Sequence, residues 1–146
     1  ILLATDFSNN SACANDYACA LTDEFQAELH VLHVIPEIPL ATTGNVLVAR
    51  YLEAERKNAK EGFEKLLHPP DWEKGNSVIR AVREGKPSAE IIRYAKENAV
   101  DLIVMGTHGQ AGLDHALIGS AAERVVRTAS CPVLTVRPEG HQFVMP

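Results

Sequence analysis

Asp101-Leu102-Ile103-Val104-Met105-Gly106-Thr107-His108-Gly109 runs on through Gln110-Ala111-Gly112-Leu113-Asp114-His115-Ala116-Leu117-Ile118 to Gly119-Ser120-Ala121-Ala122-Glu123-Arg124-Val125-Val126. Three signals meet here. Residues 101–105 are a short apolar run stopped by a glycine, the pattern of a strand buried on both faces of a parallel sheet. Residues 106–118 read as a glycine-rich loop, and Gly119-Ser120 opens a helix to about Ala129. A buried strand feeding a loop and then a helix is the repeating unit of an α/β fold.

The same unit recurs on either side. Residues 1–5, Ile-Leu-Leu-Ala-Thr, form a buried strand ending at Asp6, and Ser8 to Ser11 offer caps for an Ala-rich helix to about Ala27. Residues 29–35 read as a second strand closed by Pro36, and residues 36–45 as a loop. Val46 to Leu67 is helical, with Leu47, Tyr51, Ala54, Phe63 and Leu66-Leu67 as its apolar stripe, and Pro69-Pro70 stops it. Residues 77–83 alternate, which suits a strand nearer an edge. Gly85 turns the chain, Pro87-Ser88 opens a helix to about Asn98, and Cys131 to Val136 is the last strand, followed by a tail from Pro138. Strict β-α alternation over five strands predicts a parallel sheet with right-handed crossovers and helices on both faces.

The chain has 146 residues, 46% hydrophobic and 23% charged, the balance and length of one globular domain over residues 1–146. At this size roughly 68–70% of the unfolded surface is buried on folding, so no staple is needed. Fourteen Lys plus Arg against nineteen Asp plus Glu leave a net charge of −5. Nucleic acid and anionic membranes need a basic face, so neither is an expected partner. No apolar run approaches the roughly 18 residues of a membrane span. No secretory signal is read, and because the chain opens inside an apolar run at Ile1, its natural start is expected upstream. Three cysteines cannot close a disulfide framework. Cys13 and Cys19, six apart on one helix, point to different faces, and Cys131 precedes a strand. All three read as small hydrophobes in a reducing cytoplasm.

In an open parallel sheet, ligands bind beyond the carboxyl ends of the strands, where the strand order reverses. Those ends carry Asp6, Val34-Ile35-Pro36, Gly106-Thr107-His108-Gly109 and Arg137-Pro138. Glycines at 106 and 109 let a backbone approach a ligand closely. The far end of the loop is a helix start with Gly119, the Ser120 hydroxyl and the amides of Ala121 and Ala122, a setting that binds phosphate. A tight turn and a helix cap explain the same residues equally well. Neither GxGxxG nor GxxxxGK[ST] is present, and no Lys follows Gly119, so a P-loop mechanism lacks its amine.

The spacing Gly106-x2-Gly109-x9-Gly119-Ser120 resembles the G-2x-G-9x-G-[ST] nucleotide motif of universal stress proteins, the UspA-like family. The opening Ile1 to Ser8, Leu32-His33-Val34, the blocks 101–109 and 119–126, and Cys131 to Val136 are similar to the same family's strands and helix starts. The resemblance covers essentially the whole chain, least specifically over residues 36–75. It implies a Rossmann-like, five-stranded parallel sheet of order 3-2-1-4-5, a cytoplasmic stress-response protein, and a homodimer paired through the last strand, residues 132–136. It also implies an adenine nucleotide, ATP, ADP or AMP, with Mg2+ held on the phosphates in some members. By resemblance, Ala4, Thr5 and Asp6 lie at the adenosine, with the Asp6 carboxylate near the ribose. Val34 lines the adenine slot, and Met105 and Gly106 border the adenosine. His108 and Gly109 lie along the phosphates, and Gly119, Ser120, Ala121 and Ala122 hold phosphate oxygens. Gln110 and Ala111 stand where basic or hydroxyl residues are frequent in relatives, which favours AMP or ADP over ATP.

Other constellations carry less. His108, Asp114 and His115 lack the helical spacing of a metal site. His30 and His33, three apart on a strand, face opposite sides, and His33 is expected to hydrogen-bond backbone. Ser120 has no obvious base and no GxSxG elbow. Trp72 reads as part of a surface loop, and the charge run 53–65 as a solvated helix face. Asp6 is read as a ribose acceptor ahead of a catalytic carboxylate or a helix cap. The expected function is a nucleotide-binding signalling or regulatory module with little or no hydrolysis. A slow ATPase, for which only His108 offers itself near the phosphates, and a nucleotide-free dimeric adaptor are the alternatives.

Overall fold

A computed structural model of the chain describes residues 1–38, 45–66, 75–107 and 118–137. Within them, strands β1 (Leu2–Ala4), β2 (Leu29–Ile35), β3 (Val78–Glu84), β4 (Ile103–Gly106) and β5 (Val133–Val136) alternate with helices α1 (Asn9–Phe25), α2 (Asn45–Leu66), α3 (Pro87–Glu97) and α4 (Ser120–Thr128). Every strand pairing is parallel, and the order is β3-β2-β1-β4-β5. The chain thus builds outward from β1 through β2 to the β3 edge. It then crosses back by α3 to β4 on the other side of β1. That reversal places the switch point between β1 and β4.

Each face of the sheet carries its own core. Leu2, Ala4, Leu32, Val34, Ile103 and Met105 pack against Ile91, Tyr94 and Ala95 of α3 and Ala122 and Val125 of α4. Leu3, Leu29, Val31 and Val104 pack against Ala14, Ala18 and Cys19 of α1 and Ala59 and Phe63 of α2. The period-2 alternation of side chains sends neighbours in one strand to opposite cores. This is why β1 and β2 are buried at every position. The two edge strands are more open. β3 is exposed or partly buried along its length, as its alternating sequence predicts.

Several boundaries differ from the sequence reading. α1 ends at Phe25, where Gln26 turns left-handed (φ 49°) and caps it. The last strand starts at Val133 rather than Cys131. α2 buries Ala59 and Phe63 but leaves Leu47 57% exposed and Ala54 exposed, so only the second half of the expected stripe is core. A 22-residue helix is about 33 Å long, while the seven-residue strands beside it span about 23 Å, so the first turns of α2 outreach the sheet. Cys13 and Cys19, expected on different faces, both pack at the α1–α2 core, and all three cysteines are free. Six residues along a helix are only about 120° apart in projection, within reach of one broad buried stripe. At the β3–α3 turn, Gly85 has φ 143°, a backbone state that favours glycine, and Glu90 and Arg93 of α3 form an ion pair beside it. Among the described residues no helix is long and apolar enough to cross a membrane.

Candidate functional site

The β1–α1 turn is a tight polar knot. The Thr5 amide donates to the Leu32 carbonyl at 3.0 Å, continuing the β1–β2 ladder one residue past the strand. The Thr5 hydroxyl is buried; it accepts from the Phe7 amide at 3.0 Å and pairs with the Ser11 hydroxyl at 3.0 Å. Asp6 is partly buried, and its Oδ1 accepts from both the amide (3.0 Å) and the hydroxyl (2.6 Å) of Ser8. Ser8 is the N-cap of α1, in extended conformation, and its hydroxyl oxygen accepts from the Ser11 amide. So Asp6 orients the capping serine and does not cap the helix itself. Phe7, between them, has φ 61°. A left-handed backbone costs a residue with a Cβ about 1–2 kcal/mol, so the surroundings must hold it there.

The other half of the site is the end of β4 and the start of α4. The Thr107 amide donates to the Val136 carbonyl at 2.9 Å, and the Thr107 carbonyl accepts from the Gly119 amide at 2.6 Å. These bonds tie the start of α4 to the carboxyl end of β4. Gly119 is the N-cap, extended at φ −69°, and the first helical bond is Glu123 amide to Gly119 carbonyl, 2.9 Å. The amides of Ser120, Ala121 and Ala122 precede that bond, as helix geometry requires, and carry the positive end of the helix dipole. The Gly119 amide, expected among the phosphate donors, is instead taken by Thr107. Gly119 therefore contributes by seating the helix start.

The sequence-derived site residues within the described chain converge. Ala4 pairs with Met105 across β1 and β4 and with Leu32 across β1 and β2. Ala4, Val34, Met105 and Ala122 belong to one buried cluster on the α3–α4 face of the sheet. Thr5 is buried, Asp6, Gly106 and Ala121 are partly buried, and Ser120 is exposed. His108 and Gly109, with Asp114 and His115, lie outside the described residues, as does Trp72. The sequence reading gave Ser8 and Ser11 only as helix-cap candidates and did not single out Thr107. The spacing Asp6-x-Ser8 carried the signal, since Asp side chains bond backbone two residues on. His30 and His33 do face opposite sides: His33 Nδ1 bonds the Thr5 carbonyl at 2.9 Å, while His30 meets Tyr94 of α3 and Glu28. Among the described residues no cluster of His, Cys, Asp or Glu is arranged to hold a metal ion.

This arrangement suits an anion beside a flat apolar group. Small and apolar side chains make up the buried cluster, the partly buried Asp6 carboxylate follows β1, and the start of α4 is tied to the end of β4. Comparison with known proteins gives the family. The family model described as the universal stress protein family matches residues 1–137. The universal stress protein YxiE of Bacillus subtilis is 40% identical, over 94% of this chain and 97% of its own. The universal stress protein MJ0531 of Methanocaldococcus jannaschii is 36% identical, over 94% of this chain and 81% of its own. Among solved structures, that of the M. jannaschii protein MJ0577 superposes with a TM-score of 0.82 at 28% identity, covering 96% of each chain. Universal stress protein structures in complex with cAMP (TM-score 0.65, 19% identity, 93% of this chain and 94% of that one) and with dAMP (0.62, 17%, 93% and 95%) share the fold.

Proposed function

The chain belongs to the universal stress protein family, and from that premise we propose that it binds an adenine nucleotide in the crevice between β1 and β4. In this reading it acts in the cytoplasm as a dimeric signalling or regulatory module, with little or no hydrolysis. Two members of the fold have solved structures with cAMP and with dAMP, so adenine nucleotides are ligands within the family. The observation that carries the reading is the bond from the Gly119 amide to the Thr107 carbonyl. It sets the α4 start beside the carboxyl end of β4, at the switch point, where a parallel α/β sheet takes its ligands.

The residues present fit that ligand. Ala4, Val34 and Met105 offer an apolar wall to the base, and the Asp6 carboxylate is a hydrogen-bond acceptor for ribose hydroxyls. The amides of Ser120, Ala121 and Ala122, with the Ser120 hydroxyl, hold phosphate oxygens, and the family resemblance assigns His108 and Gly109 to the same phosphates. Mg2+ on the phosphates supplies the countercharge that helix amides only partly provide. Dimerisation runs through the outer edge of β5.

Calorimetric titration with AMP, ADP and ATP in the presence of Mg2+ tests this directly. Binding is expected, with a raised melting temperature, because a ligand of the native state stabilises it. Gly119→Val and Gly109→Val should each cost a hundredfold or more, about 2.7 kcal/mol, in chains that still melt cooperatively. Unchanged affinity in both removes the site assignment. ADP released steadily from ATP favours the slow ATPase, and no binding of any nucleotide favours the adaptor.

A further inference from the structure

Phe7 follows Asp6 directly and has a left-handed backbone, and its side chain meets residues from outside its own loop. Its ring lies on Gly62 of α2, where a Cβ would stand 2.6–2.7 Å from the ring's Cγ, Cδ1 and Cδ2. No side chain fits between them, so the ring rests on bare helix backbone. Phe63, the next residue of α2, meets the ring edge to face, with centroids 5.1 Å apart. On the other side the His33 ring lies 4.6 Å away at a tilt of 31°. His33 also binds the Thr5 carbonyl through Nδ1. The turn that carries Asp6 is thus gripped twice, by β2 at the Thr5 carbonyl and by α2 at the Phe7 ring.

We propose that Phe7, seated on Gly62 and against His33, is a positioning residue for nucleotide binding: it holds the Thr5–Ser8 turn in the left-handed form that presents Asp6 at the crevice, so the seating of α2 sets nucleotide affinity. The proposal rests on the nucleotide reading above for its ligand. A ring serving only as core would stabilise the fold without acting on the ligand.

The two residues make a test with a sign change. Alanine is a better helix former than glycine, so Gly62→Ala should stabilise α2 wherever no ring opposes it. In the native background the new methyl displaces the ring. There, Gly62→Ala is expected to lower the melting temperature and to weaken AMP binding about tenfold or more, the scale of one charge-assisted hydrogen bond. Phe7→Ala is expected to weaken AMP similarly. In the Phe7→Ala background, Gly62→Ala should leave affinity where it was and raise the melting temperature. Amide hydrogen exchange at Phe7 and Ser8, protected by Thr5 and Asp6 in the turn, gives a readout without ligand and should quicken in both single variants. Variants that melt lower yet bind AMP like the wild type overturn the proposal. Wild-type protein that binds no nucleotide removes the ligand reading; exchange at Phe7 and Ser8 then decides, and protection unchanged in Gly62→Ala overturns the proposal as well.

Discussion

Ser8 serves both neighbours of the β1–α1 turn. Its hydroxyl donates to the Asp6 carboxylate and accepts from the Ser11 amide, and its own amide also reaches Asp6. Ser8→Ala removes the cap and the hydroxyl that donates to the Asp6 carboxylate. A lost N-cap costs about 1 kcal/mol, which urea unfolding should register. The same change should weaken AMP binding, because Asp6 loses the shorter of its two bonds from Ser8. Ser8→Thr keeps the hydroxyl and should restore both. Stability lost with AMP affinity intact would mean that Asp6 is held without help from Ser8. At this scale the sequence was partly legible. Asp6 is read from its place after the first strand and Ser8 as a helix cap, whereas Phe7 is not read, because its slot is made by Gly62 and His33, far away in the chain.

Among elements, β2, β3 and α3 are strapped together by one hydrogen-bonded chain that runs from the buried Tyr94 and His30 out to the exposed Glu28 and Ser77. Tyr94 of α3 meets His30 Nδ1 at 2.9 Å, His30 Nε2 meets Glu28 at 2.9 Å, and Ser77, just before β3, donates to Glu28 at 2.9 Å. The hydrogen bonds from Ser77 and then His30 hold the Glu28 carboxyl below its ordinary value of 4.5. Burial pushes the Tyr94 phenol further above its ordinary value of 10.0. The sign for Glu28 follows from the lowered folded pKa. Its contribution is fully present above the unfolded value and is lost as pH falls through the depressed folded value. Glu28→Gln should therefore flatten the acid side of the stability curve in that window, measured as denaturation midpoints against pH. An acid limb unchanged in the variant would assign the loss to other carboxylates. Element positions were legible from periodicity and caps, but α2 was not wholly so. Its stripe gave the helix, and only the shorter strands beside it decided which turns are covered.

For the whole molecule, the open question of assembly turns on β5. The Ile103 amide donates to the Pro132 carbonyl and the Thr107 amide to the Val136 carbonyl, so alternate residues of β5 face β4. Val133 and Thr135 then direct their backbone groups outward along the edge. Proline is tolerated at such a position because its missing N–H belongs to no ladder bond within the sheet. Thr135→Pro should leave the monomer folded and move a dimer paired through β5 to monomer, read by light scattering on a sizing column. A dimer that survives the change uses another surface.

The sequence by itself determined the α/β class, the alternation of elements and both histidine orientations. Each of these follows from local period, glycine placement or chain order. The strand order came from the resemblance carried by the glycine spacing, and the paired registers agree with it. Only the tertiary structure decided that the Gly119 amide is spent on Thr107, that Cys13 and Cys19 share a core, and that Phe7 stands on Gly62. These depend on the distances between elements that no local pattern encodes. Packing sets such distances by the volume of facing side chains, and a missing Cβ in one helix fixes the shape of a turn that precedes it by some fifty residues.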